Sequence, residues 1–264
     1  MNNTIQSFLQ QAQTALNNGD VKKALSFYAQ ILQIDSEYYL AHYNIGNIFL
    51  NLGRYEEAIK YYTYSIDFNE TYVNAYTNIG IAYTNVGDYA KAIFYLEKGL
   101  SIDPLNTLCL NNLGNALKAL KKFQEAILNY QKAIKLNPAF KEAHNGLASV
   151  LEEVGLFKQA LIHYEKAINI DKNYLEANLN LLPLLIQFNP LKKIKSTYPQ
   201  SSVFLYKIIH SFIYKSSKNT LSLINEIKAK ELKFSSYEQQ QFGLSYLKFI
   251  SQLINYEPSS NNYT

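Results

Sequence analysis

Few residues in this chain have the type and spacing that catalysis requires. Its histidines, His42, His144, His163 and His210, are scattered, and no two stand at a metal-ligand spacing such as H-x-x-x-H. Cys109 is the sole cysteine, so neither an intrachain disulfide nor a cysteine metal cluster can form. Between Leu108 and Leu110 it reads as a small buried residue, and a reducing compartment fits its isolation. There is no Gly-rich phosphate loop after a strand, no G-x-S-x-G and no placeable pair of catalytic carboxylates; Glu152–Glu153 reads as a solvated helix end. The expectation is a protein without enzymatic activity, metal or cofactor. What does recur is the carboxamide. Asn44, Asn78 and Asn112 are spaced 34 residues apart, and Asn180 lies on the same ladder two periods on. A carboxamide donates to a carbonyl and accepts from an N–H. Each such bond contributes about 0.5–1.5 kcal/mol net, so a line of them could grip the backbone of an extended peptide.

The elements that position this line follow from the same period. Gly46, Gly80 and Gly114 form one 34-residue ladder, and Gly19, Gly53, Gly87 and Gly155 a second, with Lys121 at the missing rung. Ala24, Ala58, Ala92, Ala126 and Ala160 form an unbroken third; Tyr28, Tyr62, Tyr130 and Tyr164 form a fourth, with Leu96 in its gap. Five units in register therefore cover 5–38, 39–72, 73–106, 107–140 and 141–174 without insertion. Each reads as two helices: in 107–140, Leu110, Leu113, Ala116 and Leu117, then Phe123, Ala126, Ile127, Tyr130, Ala133 and Ile134 follow helical spacing. Asp-Pro at 103–104 and Asn-Pro at 137–138 are expected to end second helices, because the residue before proline disfavours helix. Gly53, Gly87 and Gly155 fall between paired helices, where glycine closes a helix C-terminus. Gly46, Gly80 and Gly114 fall mid-helix, at a cost of about 1 kcal/mol each relative to alanine. The expected reason is close approach of the unit's second helix, with the alanine ladder supplying small residues on the facing side; Ala12 and Ala148 keep the same position small in units one and five.

The 34-residue period and the order small–Gly–aromatic–Ala–Tyr–Ala–Pro resemble the tetratricopeptide repeat family over residues 5–174. Departures are Lys121 for the turn glycine, Leu96 for the aromatic, and Ile31, Ser65 and Gly99 for the late small residue; unit one is the least typical, as a terminal cap is. The resemblance implies an all-α, right-handed superhelical solenoid whose first helices line a concave face. On that face it places Tyr43, Asn44 and Asn47 in unit two, Asn74 and Asn78 in unit three, Asn111, Asn112 and Asn115 in unit four, Asn145 in unit five and Asn180 in a partial sixth helix. The stretch "LNNLGNALKALKKFQEAILNYQKAIKLNPAFKEAH" is also similar to the repeats of O-linked N-acetylglucosamine transferase, in which an asparagine ladder holds substrate backbone. The fold's other known use, clamping the carboxylate tails of chaperones, calls for cations; the counterpart positions here hold Leu9, Asn74 and Asn78.

The repeat fails after Tyr174. A sixth first-helix is expected over 175–188, interrupted by Pro183, with Pro190 and Pro199 beyond. The remainder, 189–257, holds three helix-spaced stretches (201–217, 219–234 and 236–256), read as a cap or degenerate repeats, and 258–264 as a disordered tail. Residues 189–264 carry ten lysines and four glutamates, against a formal +4 for the whole chain. With Arg54 as the sole arginine and the lysines dispersed, a solvated face is expected rather than a nucleic-acid site. The composition, 48% hydrophobic and 17% charged, is globular. No signal peptide and no apolar run approaching 18 residues is seen, so a soluble cytoplasmic protein without a membrane span is expected. The expected function is that of an adaptor or scaffold binding a protein or extended peptide segment. The alternatives are a substrate-recruiting subunit of a glycosyltransferase-like system with its catalytic domain on another chain, and a self-associating module that forms a homodimer through a solenoid end or the C-terminal helices.

Overall fold

The computed structural model describes residues 2–172 together with 174, 176, 177, 180, 181 and 184. Among these residues every regular element is a helix: α1 (Asn2–Asn17), α2 (Val21–Ile34), α3 (Tyr39–Asn51), α4 (Tyr55–Phe68), α5 (Val73–Val86), α6 (Tyr89–Ile102), α7 (Thr107–Ala119), α8 (Phe123–Leu136), α9 (Lys141–Glu153) and α10 (Phe157–Ile170). The chain divides into two compact units, Met1–Leu156 and Phe157–Thr264. In the second, α10 buries Ala160, Tyr164, Ala167 and Ile168. Of the sixth first-helix expected over 175–188, Glu176, Ala177, Asn180, Leu181 and Leu184 are helical, with Ala177, Leu181 and Leu184 buried. The rest of that helix and the reading of 189–264 lie outside the described residues.

In the first unit each helix packs on the next, α1 through α9, giving an all-α solenoid. The first helices of successive pairs also pack on one another, α3 with α5, α5 with α7 and α7 with α9, whereas successive second helices do not pack to that extent. A layer whose helices sit closer together is the inner layer of a curved stack, so α3, α5, α7 and α9 form the inner wall.

Short polar side chains start three of these helices and stop four. Asp20, Asp88 and Asn106 cap α2, α6 and α7 by accepting from the N–H groups of Lys23, Lys91 and Cys109 at 3.0–3.1 Å. After each second helix of the first unit comes an Asx residue. The Oδ1 atoms of Asp35, Asn69, Asp103 and Asn137 accept from the N–H two residues on, at 3.0–3.1 Å. Proline follows only Asp103 and Asn137, while Ser36 and Glu70 follow the other two, and all four helices end in the same extended backbone. The expected proline stop is therefore an accompaniment; the recurring stop is the Asx side chain.

The mid-helix glycines do mark close approach of the unit's second helix, as expected, but the residue that faces them is not the alanine. A Cβ on Gly46 would lie 2.7 Å from the Tyr62 ring, on Gly80 2.5 Å from Leu96 Cγ, and on Gly114 2.7 Å from the Tyr130 ring. The facing residue is thus the tyrosine ladder. The alanine ladder is fully buried, but the atoms nearest to a Cβ on these glycines belong to Tyr62, Leu96 and Tyr130. Tyr130 is held on both sides, since a Cβ on Gly146 of the next first helix would come within 2.5 Å of its ring. Glycine here admits a buried aromatic to a crossing where no other residue fits, and burial of that ring offsets the helix-propensity cost. At the vacant rung of the turn ladder, Lys121 itself adopts the left-handed conformation, φ 59°, which Gly19, Gly53, Gly87 and Gly155 adopt elsewhere.

Candidate functional site

The inner wall carries a hydrogen-bonded seam of carboxamides and phenols. Tyr62, reaching up from α4, donates its hydroxyl to Asn47 Oδ1 on α3 at 2.8 Å. Asn78 on α5 donates to the same oxygen at 2.8 Å and to the Tyr43 hydroxyl at 3.1 Å. Both N–H bonds of Asn78 are then spent, and its Oδ1 remains as an acceptor; Asn47 has spent its oxygen and keeps its Nδ2 as a donor. Burial, and then the neighbouring Tyr43, push the Tyr62 phenol above its usual range, so it stays a neutral donor.

One unit further on the pattern is cut. The place of Asn47 is taken by Ile81 and that of Tyr62 by Leu96. Asn112, with no carboxamide to meet, donates instead to Leu108 O on its own helix at 2.9 Å. In α7 the phenol–carboxamide pair returns: Tyr130 donates to Asn115 Oδ1 at 2.7 Å, and Asn115 Nδ2 lies 3.5 Å from Asn112 Oδ1. Lys118 reaches Ser149 Oγ on α9 at 3.4 Å.

The residues expected on the concave face fall into distinct settings. Tyr43, Asn47 and Asn78 are brought together in one network, and Asn112 with Asn115 in a second. Asn44 is half-buried and makes no hydrogen bond within the described residues; Asn74 is exposed and lies 3.5 Å from the Tyr72 hydroxyl. Asn111 and Asn145 are buried, 6% and 4% exposed, so they present little surface to a ligand. Asn180 is half-buried in the second unit.

Beside the α3–α5 network stands a group of rings that the asparagine spacing did not disclose. Tyr72 meets Tyr39 and Tyr43 edge-on, each with centroids 5.0 Å apart. The run Tyr38–Tyr39 and the tyrosine one period after Tyr38 were the available signal. His42, His144 and Cys109 make contacts within the scaffold. His42 Nε2 lies 2.9 Å from Ser36 O and His144 Nε2 3.2 Å from Pro138 O, tying each first helix to the loop before it. Cys109 donates its thiol to Leu96 O at 3.2 Å, and burial pushes that thiol up to about 11. Among the described residues no three His, Cys, Asp or Glu side chains cluster as metal ligands, and no helix is long and apolar enough to cross a membrane.

An array of antiparallel helix pairs with a polar inner wall defines a class, the helical repeat proteins that present a curved surface. Tetratricopeptide repeat models match residues 39–72, 73–106 and 108–140, and a second model of the same repeat matches 141–174. The chain belongs to the tetratricopeptide repeat family. The pair α1–α2 precedes the first matched residue. No curated protein sequence matches the chain. Solved structures do. A MamA protein from Desulfovibrio magneticus RS-1 is 20% identical, covering 65% of this chain and 97% of that one, with a TM-score of 0.57. TTC0263, a thermophilic tetratricopeptide repeat protein of Thermus thermophilus, is 19% identical over 69% and 99%, with a TM-score of 0.59. YrrB, described as having an unusual peptide-binding site, is 19% identical over 66% and 89%, with a TM-score of 0.53. At these identities the likeness is one of fold.

Proposed function

We propose that this protein is a non-catalytic adaptor or scaffold of the cytoplasm that binds a protein segment in extended conformation along the inner wall of α3, α5 and α7. The observation that carries the reading is the division of labour within the Asn47–Asn78 pair, which leaves one free Nδ2 donor and one free Oδ1 acceptor side by side. An extended backbone presents the complementary alternation of C=O and N–H groups. The positional likeness of the ladder to that of O-linked N-acetylglucosamine transferase repeats, and the peptide-binding site attributed to YrrB, support the reading by analogy. Binding through these edges is main-chain directed and selects for extended shape before sequence.

The test is affinity capture with the wild-type chain and with the triple variant Asn44→Ala, Asn78→Ala, Asn112→Ala, followed by titration of a captured segment. Loss of up to three bonds of about 0.5–1.5 kcal/mol each weakens binding by roughly tenfold or more while the far-UV helical signal is unchanged. Equal affinity of the two proteins removes the ladder from the binding surface.

A further inference from the structure

The composition of the α3–α5 part of the wall is narrower than generic peptide binding requires. Tyr72 is the hub of a ring cluster, with its centroid 5.0 Å from Tyr39 at an interplanar angle of 65° and 5.0 Å from Tyr43 at 89°. All three rings are half-buried, so packing fixes their planes while part of each stays accessible. Two of the hydroxyls meet carboxamides: Asn78 donates to Tyr43 Oη, and Asn74 Nδ2 lies 3.5 Å from Tyr72 Oη. A phenol that accepts from an amide keeps its own O–H to give away. Together with the free Nδ2 of Asn47, the cluster offers several donors beside half-buried aromatic rings.

The charge around it is one-sided. Neither α3 nor α5 contains an Asp, Glu, Lys or Arg. The segments leading into Tyr39 and Tyr72 carry Asp35 and Glu37, and Asp67 and Glu70, none of which is in an ion pair among the described residues. No lysine or arginine occurs between Lys23 and Arg54, or between Lys60 and Lys91. The wall is therefore neutral and aromatic with an acidic margin.

We propose that this part of the inner wall takes a proline-rich segment in the polyproline II conformation, flanked by a basic side chain. The inference rests on the inner-wall reading given above and specifies its ligand. A polyproline II strand has no internal hydrogen bonds, so its carbonyls are open to the tyrosine and asparagine donors. Prolines carry no N–H that would need an acceptor, and their rings pack on aromatic faces. The helix is preformed, so little ordering entropy is lost on binding. Lysine or arginine at the end of such a segment complements Glu37 and Glu70, both of which are exposed.

Fluorescence anisotropy on the full chain, with three labelled peptides, tests this: decaproline flanked by arginines, decaproline flanked by glutamates, and a glycine–serine peptide of equal length flanked by arginines. The arginine-flanked decaproline binds, and the other two bind more weakly by about tenfold or more. Tyr72→Leu lowers the affinity for arginine-flanked decaproline about tenfold, and Tyr43→Phe, which keeps the ring and removes the hydroxyl, about threefold. If Tyr72→Leu proves misfolded by circular dichroism, Tyr43→Phe and Asn74→Ala carry the test. Tighter or equal binding of the glycine–serine peptide overturns the proline assignment and leaves the inner-wall reading standing. Failure of all three peptides, with no loss of captured segment in the triple asparagine variant, overturns both. Binding of arginine-flanked decaproline that none of the substitutions weakens places it elsewhere and overturns the inference.

Discussion

Replacing Gly46 by alanine sets two terms of known sign against each other. Alanine improves the propensity of α3 by about 1 kcal/mol. Its Cβ, however, would lie 2.7 Å from the Tyr62 ring, and the ring has nowhere to go. Tyr62 is fully buried, its hydroxyl is fixed by Asn47 at 2.8 Å, and its ring centroid lies 5.9 Å from that of Tyr43. Overpacking at such a site costs about 1–3 kcal/mol, so Gly46→Ala is expected to be net destabilising by about 0–2 kcal/mol. The discriminating measurement is a double-mutant cycle with Tyr62→Ala. With the ring removed, the same Gly46→Ala change meets open space and becomes stabilising by about 1 kcal/mol. The coupling between the two positions is then about 1–3 kcal/mol and opposes the propensity gain. Urea unfolding followed by far-UV ellipticity reads it as midpoint shifts at a common slope. If Gly46→Ala changes stability by the same amount in both backgrounds, the ring is not what the glycine accommodates, and the account of the mid-helix ladder fails.

Lys121→Gly should stabilise the protein by about 0.5–1 kcal/mol, because a left-handed lysine carries a backbone cost of about 1–2 kcal/mol, of which glycine's greater unfolded-state freedom takes back part. Lys121→Ala, equally strained, gives no such gain, and equal midpoints for the two variants would refute the backbone explanation. Cys109 makes a pH-dependent contribution: burial raises its thiol from 9.0 to about 11, so the folded state holds the proton more tightly than the unfolded one. That contribution is whole below pH 9 and is lost as pH rises from 9 to 11. Buried tyrosines act in the same direction at the upper end, so the readout is the difference in slope between wild type and Cys109→Ala, and identical slopes would count against it.

The repeat period made the helices and their order legible, because each ladder position repeats one packing environment. What it did not reveal was which ladder residue meets which. Spacing puts Gly46 and Ala58 on facing helices, and both are small, so the pairing of small with small is the natural reading. The structure instead sets Tyr62 over Gly46, with Ala58 fully buried in the same cluster. A ladder gives register along the chain but not the rotation of one helix about its axis against the next. The Asx stops were missed for a different reason: Asp35, Asn69, Asp103 and Asn137 alternate between two residue types, and proline beside two of them drew attention away from the side chain they share in function.

The asparagines of the inner wall fall on two repeat positions with different duties. Asn47 and Asn115 each accept from the tyrosine that fills the glycine crossing of their own unit, at 2.8 and 2.7 Å. In the unit where that tyrosine is Leu96, the carboxamide is gone as well, and Ile81 stands in its place. In that unit hydroxyl and carboxamide leave together, which fits a carboxamide whose oxygen satisfies a buried phenol. The second line, Asn44, Asn78 and Asn112, does not follow this rule: Asn112 persists beside Ile81 and turns to its own helix for a partner. No buried phenol accounts for its presence. On the function proposed above, the free Oδ1 of Asn78 and the unbonded carboxamide of Asn44 on this second line are the edges a ligand would use. The break at Ile81 divides the wall into two stations, one at α3–α5 lined by tyrosines and one at α7 that includes Lys118. If the proposed function holds, a segment long enough to span both stations is held at its ends more firmly than at its middle.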